Sequence, residues 1–326
     1  MRRRDFIACV AGAAASWPLE LCAQQAGIPV IGFLDPTSPE AAREVVSSFR
    51  LGLREAGYIE GQNVAIEFRW GNGQPVLRQL ASDLVRLQVA VIVASGGVNS
   101  PLAAKAATST IPIVIAGGAD PVRYGLVTSL NQPGGNITGV TFLINELGGK
   151  RLDLLLKLVP QATTVGYLVA GQTDDVQRDD TGEVLAAARA LGRQIIVLEC
   201  RTLPDFETAF ATMIERQAGA VVVSAFPLAF NNRNKILALA ARHKIPAIYP
   251  QTQYVYDGGL MSYGRAIVMR QVAIQYVARI LKGAKPADLP IQQQANFQLA
   301  INLKTAEMLG LKVPRDLMAI ANVVIE

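Results

Sequence analysis

Two acidic pairs, Asp174-Asp175 and Asp179-Asp180, bracket a polar stretch behind an apolar run, and a pair of carboxylates is what acid–base cleavage of a glycosidic bond uses. Spacing along a chain says nothing about opposed geometry, however. Asp also favours the first turn of a helix, where the dipole is positive, so solvated helix starts are the plainer reading. His243 is the only histidine and closes Ala240-Ala241-Arg242-His243-Lys244, near a helix C-terminus that favours a cation. One histidine and a lone mature cysteine, Cys200, cannot assemble a zinc site, and Cys200 behind an apolar strand reads as inert packing. Gly71-Asn72-Gly73 lacks the third glycine of a dinucleotide fingerprint and runs into Pro75. Gly148-Gly149-Lys150-Arg151 has neither Walker spacing nor a following Ser or Thr. No catalytic residue, metal or cofactor is therefore expected.

What the chain offers instead is a row of strand ends, where ligands sit in open α/β sheets. These are Asp35-Pro36-Thr37, Ser95-Gly96-Gly97, Ala116-Gly117-Gly118, Gly171-Gln172-Thr173, Ala225-Phe226-Pro227 and Tyr249-Pro250-Gln251. Small residues and hydroxyls in the first half can present backbone N–H groups to an anion. Ser95-Gly96-Gly97, ahead of a helix through 103–107, is the best placed. In the second half Phe226 and Tyr249 are candidates to sandwich a ring of the ligand, and equally candidates for ordinary core packing.

The elements that position these ends alternate from one end of the chain to the other. Apolar β-branched runs at 28–34, 64–68, 89–94 and 111–115 alternate with helical segments at 41–56 and 77–87. The series restarts at 164–169, 194–198, 220–223 and 246–249, with helices at 183–191, 206–217 and 236–243. Runs apolar on both faces suit parallel strands covered by helices, so two doubly wound lobes are expected, separated by a loop-rich stretch at 131–149. The remaining helix at 271–282, strand at 297–301 and short helix at 305–309 are too few for a third core. They must return to the existing lobes, so the backbone crosses more than once and forms a hinge. Pro133-Gly134-Gly135, Asp257-Gly258-Gly259 and Asp288-Leu289-Pro290 supply turn residues for the crossings.

The chain begins Arg3-Arg4-Asp5-Phe6-Ile7 and continues into a short apolar stretch broken by Trp17-Pro18, which reads as a twin-arginine export signal. Cleavage near Ala23 is favoured over acylation of Cys22, giving a soluble mature chain. Cys9 and Cys22 leave with the signal, so no internal disulfide is possible and stability rests on an apolar core. The formal net charge of +5 is scattered, not gathered in a stripe, which argues against a nucleic-acid partner.

A set of ordered motifs completes the reading. Gly57-Tyr58, Glu60-Gly61-Gln62-Asn63-Val64, Arg69-Trp70, Ile111-Pro112-Ile113-Val114, Asp120-Pro121-Val122 and Gly125-Leu126-Val127 lead to Pro133-Gly134-Gly135-Asn136-Ile137-Thr138-Gly139. Asp257-Gly258-Gly259-Leu260-Met261-Ser262-Tyr263-Gly264, Ile280-Leu281-Lys282-Gly283-Ala284-Lys285-Pro286-Ala287-Asp288-Leu289-Pro290 and Ile301-Asn302-Leu303-Lys304-Thr305-Ala306 follow. Over 28–326 the chain resembles the substrate-binding proteins of ABC transporters that include tryptophan-binding members, with the type I periplasmic-binding-protein fold. The resemblance implies an α/β architecture of two doubly wound parallel-sheet lobes on a multi-crossing hinge. It places 26–139 plus 260–289 in the first lobe and 140–259 plus 290–326 in the second, after an export signal at 1–23. It also implies a periplasmic receptor, expected to be a monomer, that delivers a small solute to an ABC permease in the inner membrane. Ser95, Asp120 and Tyr263 lie in matching motifs, whereas Asp35, Gln172, Phe226 and Tyr249 occupy variable loops.

The ligand expected first is an amino acid, with an aromatic one favoured: carboxylate toward Ser95, Gly96, Gly97 and Gly117, ammonium toward Asp120 or Asp35. Two rival classes stay open. The same fold serves a ligand sensor for a membrane signalling protein, and an exported hydrolase would use the carboxylates at 174–180.

Overall fold

A computed structural model of the chain describes residues 27–71, 73–117, 120–142, 147–171, 175–265, 269–294 and 297–326. The expected export signal and its cleavage site lie outside the described residues, as does Gln172.

The first apolar run forms β1 (Val30–Asp35), followed by α1 (Arg43–Glu55), β2 (Ala65–Trp70), α2 (Gln74–Arg86), β3 (Val91–Ser95), α3 (Asn99–Ala107), β4 (Ile113–Gly117) and β5 (Ile137–Thr141). The chain continues through α4 (Gly148–Leu158), β6 (Thr164–Val169), α5 (Asp175–Ala190), β7 (Gln194–Glu199), α6 (Asp205–Glu215) and β8 (Ala220–Val223). Then come α7 (Pro227–Asn231), α8 (Arg233–Arg242), β9 (Ala247–Tyr249), α9 (Gln253–Tyr256) and β10 (Met261–Arg265). The helix expected at 271–282 is one rod in three parts: α10 (Met269–Val272), a wider π turn (Ala273–Val277) and α11 (Ala278–Leu281). The chain ends with β11 (Gln292–Gln293), β12 (Phe297–Asn302), α12 (Leu303–Met308), α13 (Arg315–Ile320) and β13 (Val323–Ile325).

The strands sort into two sheets, in the orders β11-β5-β4-β3-β1-β2 and β13-β12-β10-β9-β8-β6-β7. All pairings are parallel except β10 with β12. In each sheet the central strands are buried on both faces, as their unbroken apolar runs require. On one face of the first sheet, Phe33 and Phe49 lie edge to face at 5.4 Å, while Phe68 stacks on Trp70 at 5.4 Å. In the second sheet one face carries Tyr167, Val222 and Met261 against α4 and α5, and the other carries Val221, Val223 and Tyr249 against α6 and α8. Full burial of each such side chain contributes about 1.5–3 kcal/mol, so these layers dominate the stability of each lobe.

The backbone passes between the sheets from β5 to α4, from β10 to α10 and from β11 to β12. Two expected boundaries move accordingly. β10, assigned with 260–289 to the first lobe, pairs with β9 and β12 in the second sheet, and β11, assigned with 290–326 to the second, pairs with β5 in the first. The expected hinge turns lie several residues ahead of the crossings. Leu289, for example, is packed within the first lobe, where its carbonyl accepts the Thr138 hydroxyl at 2.6 Å.

The stretch at 131–149, expected as loop, holds β5 and the start of α4. Gly139 disguises the strand: its φ is +134°, and a Cβ there would come within 2.2 Å of the Ile115 carbonyl. Two strand backbones approach so closely that only glycine fits, and glycine weakens the sequence pattern of a strand. Among the described residues no helix is long and apolar enough to cross a membrane.

Candidate functional site

The strand register lines up the ends that the sequence singles out. Asp35 closes β1, Ser95 lies beside Ala116 at the end of β3 and β4, and Gly117 pairs with Thr141. Asp35 is only 3% exposed and its carboxylate is already engaged: Oδ2 accepts the Ser95 hydroxyl, and Oδ1 accepts the Thr37 N–H at 2.8 Å and its hydroxyl at 2.5 Å. Two residues expected to meet the ligand separately therefore meet each other. The Ser95 hydroxyl is committed as a donor to Asp35, so the donors left to this turn are the Gly96 and Gly97 backbone N–H groups. Gly96 has φ +78° and a Cβ on it would strike Pro36 at 2.5 Å, so the turn requires glycine.

Behind this turn, α3 begins with Asn99-Ser100-Pro101. Ser100 is fully buried, and its hydroxyl has no hydrogen-bond partner among the described residues. An unpaired buried hydroxyl beside the positive end of a helix suits an anion, and nothing in the sequence marks it, because serine at a helix start is ordinary. Asp120 does a local job, its Oδ1 accepting the Val122 N–H at 2.9 Å and the Arg123 N–H at 3.2 Å.

Across the cleft the expected aromatic pair is corrected. Tyr249 is 1% exposed, stacked on Tyr254 at 4.7 Å, and shares the sheet face packed on α8. Burial pushes its hydroxyl pKa up. Phe226 is likewise core, stacked on Phe206 at 6.4 Å among Ala229 and Ile236. The half-exposed rings near the crossings are others: Tyr263 on β10, and Phe297 at the start of β12, 6.0 Å away with planes tilted by 42°. Tyr263 was picked out by its motif; Phe297, read only as the start of a strand, was not.

The chemistry buried in the second lobe was not foreseen. Arg151, fully enclosed on α4, donates from Nε to the Tyr263 carbonyl at 2.9 Å and so ties α4 to the middle of β10. Asp180, expected at a solvated helix start, is 2% exposed and accepts the Tyr167 hydroxyl. Burial pushes its carboxyl up to about 6, with the Arg151 charge and the Tyr167 hydrogen bond opposing that shift. Burial likewise lowers the Arg151 pKa, opposed first by Asp180. Asp174 and the side chains of Asp175 and Asp179 lie outside the described residues, so an opposed acid pair is not assembled among those described.

His243 caps the C-terminus of α8, its ring stacked on Phe210 at 6.2 Å, and Cys200 is buried with its thiol pushed up to about 12. Both are structural, and among the described residues no cluster could hold a metal ion. The two halves of the cleft also touch: the Ser38 N–H reaches the Asn231 side-chain oxygen at 3.3 Å, and Ala225 packs against the first lobe's core.

Residues 30–325 match the family model described as ABC transporter substrate binding protein, and the chain belongs to that family. It is 25% identical over 276 residues to a tyrosine-binding protein of Clostridioides difficile, covering 81% of this chain and 76% of that one. Its fold is similar to a conserved domain protein from Vibrio cholerae, with a TM-score of 0.81, 24% identity, and coverage of 91% and 99% of the two chains. A domain from Streptococcus pneumoniae solved in complex with L-Trp gives a TM-score of 0.78 at 24% identity, with 90% and 100% covered.

Proposed function

We propose that this protein is the extracytoplasmic receptor of an ABC importer, closing its two lobes on a free aromatic amino acid and handing it to an inner-membrane permease. The observation that carries the reading is the chemistry of the facing edges. One lobe ends in Gly96 and Gly97 backbone with the unpaired Ser100 hydroxyl behind it, and the other in the half-exposed Tyr263–Phe297 pair. The ligand carboxylate takes the glycine N–H groups, and its ring lies against the aromatic pair. Asp35, held by Ser95 and Thr37, supplies negative charge near the ammonium. The relatives named above support the ligand class, and the paired arginines at 3–4 support export of the chain.

Micromolar affinity is about −8 kcal/mol, within reach of a few charge-assisted hydrogen bonds and one buried ring. Calorimetric titration with each of the common amino acids tests the reading. Tyrosine or tryptophan is expected to bind at micromolar concentration, and at a hundredfold excess over Kd to stabilise the fold by about 2.7 kcal/mol. Indifference to both overturns the ligand class, and chemical conversion of either overturns the receptor.

A further inference from the structure

We infer that Asn231 is a latch: by holding the Ser38 N–H across the cleft it sets how long the lobes stay shut. The inference rests on the receptor reading above.

The geometry supplies both sides of the contact. On the first lobe, Asp35 takes the Thr37 N–H, which turns the chain sharply after β1, and Pro39 restricts Ser38 to extended backbone. The Ser38 hydroxyl is occupied within its own loop, accepting the Ala41 N–H at 3.3 Å. The next free backbone donor is the Ser38 N–H, and it meets Asn231 Oδ1.

On the second lobe Asn231 ends α7, a short helix braced at that end. Asn232 Nδ2 bonds the Leu228 carbonyl at 2.8 Å, Arg233 Nη1 bonds the Phe230 carbonyl at 3.2 Å, and Arg233 pairs with Asp257 at 2.6 Å. The acceptor is thus carried on a fixed element, and the bond links residues 193 positions apart on opposite lobes. Ala225, just ahead of α7, adds an apolar contact to the first lobe's core. Such a bond exists only when the lobes are together, so it acts on opening and leaves the encounter with the ligand untouched.

A neutral hydrogen bond of ordinary net strength corresponds to a change of roughly 2- to 10-fold. Stopped-flow binding of L-tyrosine and L-tryptophan to the mature chain is expected to show that Asn231→Ala raises the dissociation rate by that factor with the association rate unchanged. Asn231→Asp keeps an acceptor oxygen and is expected to stay within about twofold of wild type. An unchanged dissociation rate in Asn231→Ala, or equal losses in both variants with lowered thermal stability, overturns the latch. If the wild-type chain binds neither amino acid, the ligand reading fails by itself. The latch is then decided by small-angle scattering of the unliganded proteins, in which open and closed forms interconvert: Asn231→Ala is expected to shift that mixture toward the extended form, and an identical profile overturns it.

Discussion

The two sides of the cleft are built on opposite principles. The first lobe presents its edge through backbone: glycine turns, strand-end N–H groups and a carboxylate, Asp35, held in place by hydroxyl and amide donors. The second lobe places ionised side chains beneath its edge, with Arg151 and Asp180 enclosed in the layer between sheet and helices, and offers aromatic surface above them. Dipoles that need no desolvation make a cheap, stiff anchor for an anion. A buried guanidinium is costly to desolvate and is tolerated only where its hydrogen bonds are supplied, here in part by a backbone carbonyl. On the proposed reading, the first edge takes what all amino acids share and the second what distinguishes them.

The largest expected effect lies in the second lobe. Arg151→Met takes the donor from the Tyr263 carbonyl and the counter-charge from Asp180, and breaking such a buried arrangement costs about 3 kcal/mol or more. Urea denaturation is expected to show the second lobe melting first; an unshifted transition would remove the contrast between the lobes.

The next effect is pH dependence. Folding raises the Asp180 carboxyl from 3.8 to about 6, so between those values the folded chain holds a proton that the unfolded chain has released. This group's contribution to stability is therefore full below about pH 4 and is lost as the pH rises through about 6. The shift of about two units sets the size of the change at roughly 3 kcal/mol. Asp180→Asn, which keeps an acceptor for Tyr167, is expected to flatten the denaturation free energy between pH 4 and 6, and a slope that survives the substitution would assign it elsewhere.

The smallest effect separates ring surface from core. Tyr263→Ala is expected to weaken binding of an aromatic amino acid about tenfold, the scale of one well-placed ring contact, beyond whatever stability its packing on the second lobe's core contributes. Tyr249→Phe is expected to leave affinity unchanged, because that ring faces α8. Calorimetry on the two variants would blur the distinction if they behaved alike.

How much of this was legible in advance follows the same division. The apolar runs of β1, β3, β4, β6 and β8 carry the architecture openly, because strands buried on both faces are apolar until their last residues, where Asp35 and Ser95 pair with each other. The strand-end glycines were legible as turns, and Gly96, with its φ of +78° hard against Pro36, is one. A strand end does not reveal which face its last side chain takes, and only the three-dimensional packing puts Tyr249, paired with Ser262, and Phe226, just before α7, into the core against α6 and α8. Arg151 was read as part of a charged Gly-Gly-Lys-Arg run, and nothing local distinguishes an enclosed arginine from a solvated one. Asp180 hid in the same way, in a helix start where acidic residues are commonplace.

Small-angle scattering of the mature chain, with and without saturating L-tyrosine or L-tryptophan, bears most directly on the receptor itself. A more compact profile with ligand, reversed by dialysis and accompanied by unchanged amino acid, is the predicted result. A single profile in every condition, or recovery of a modified compound, would contradict it.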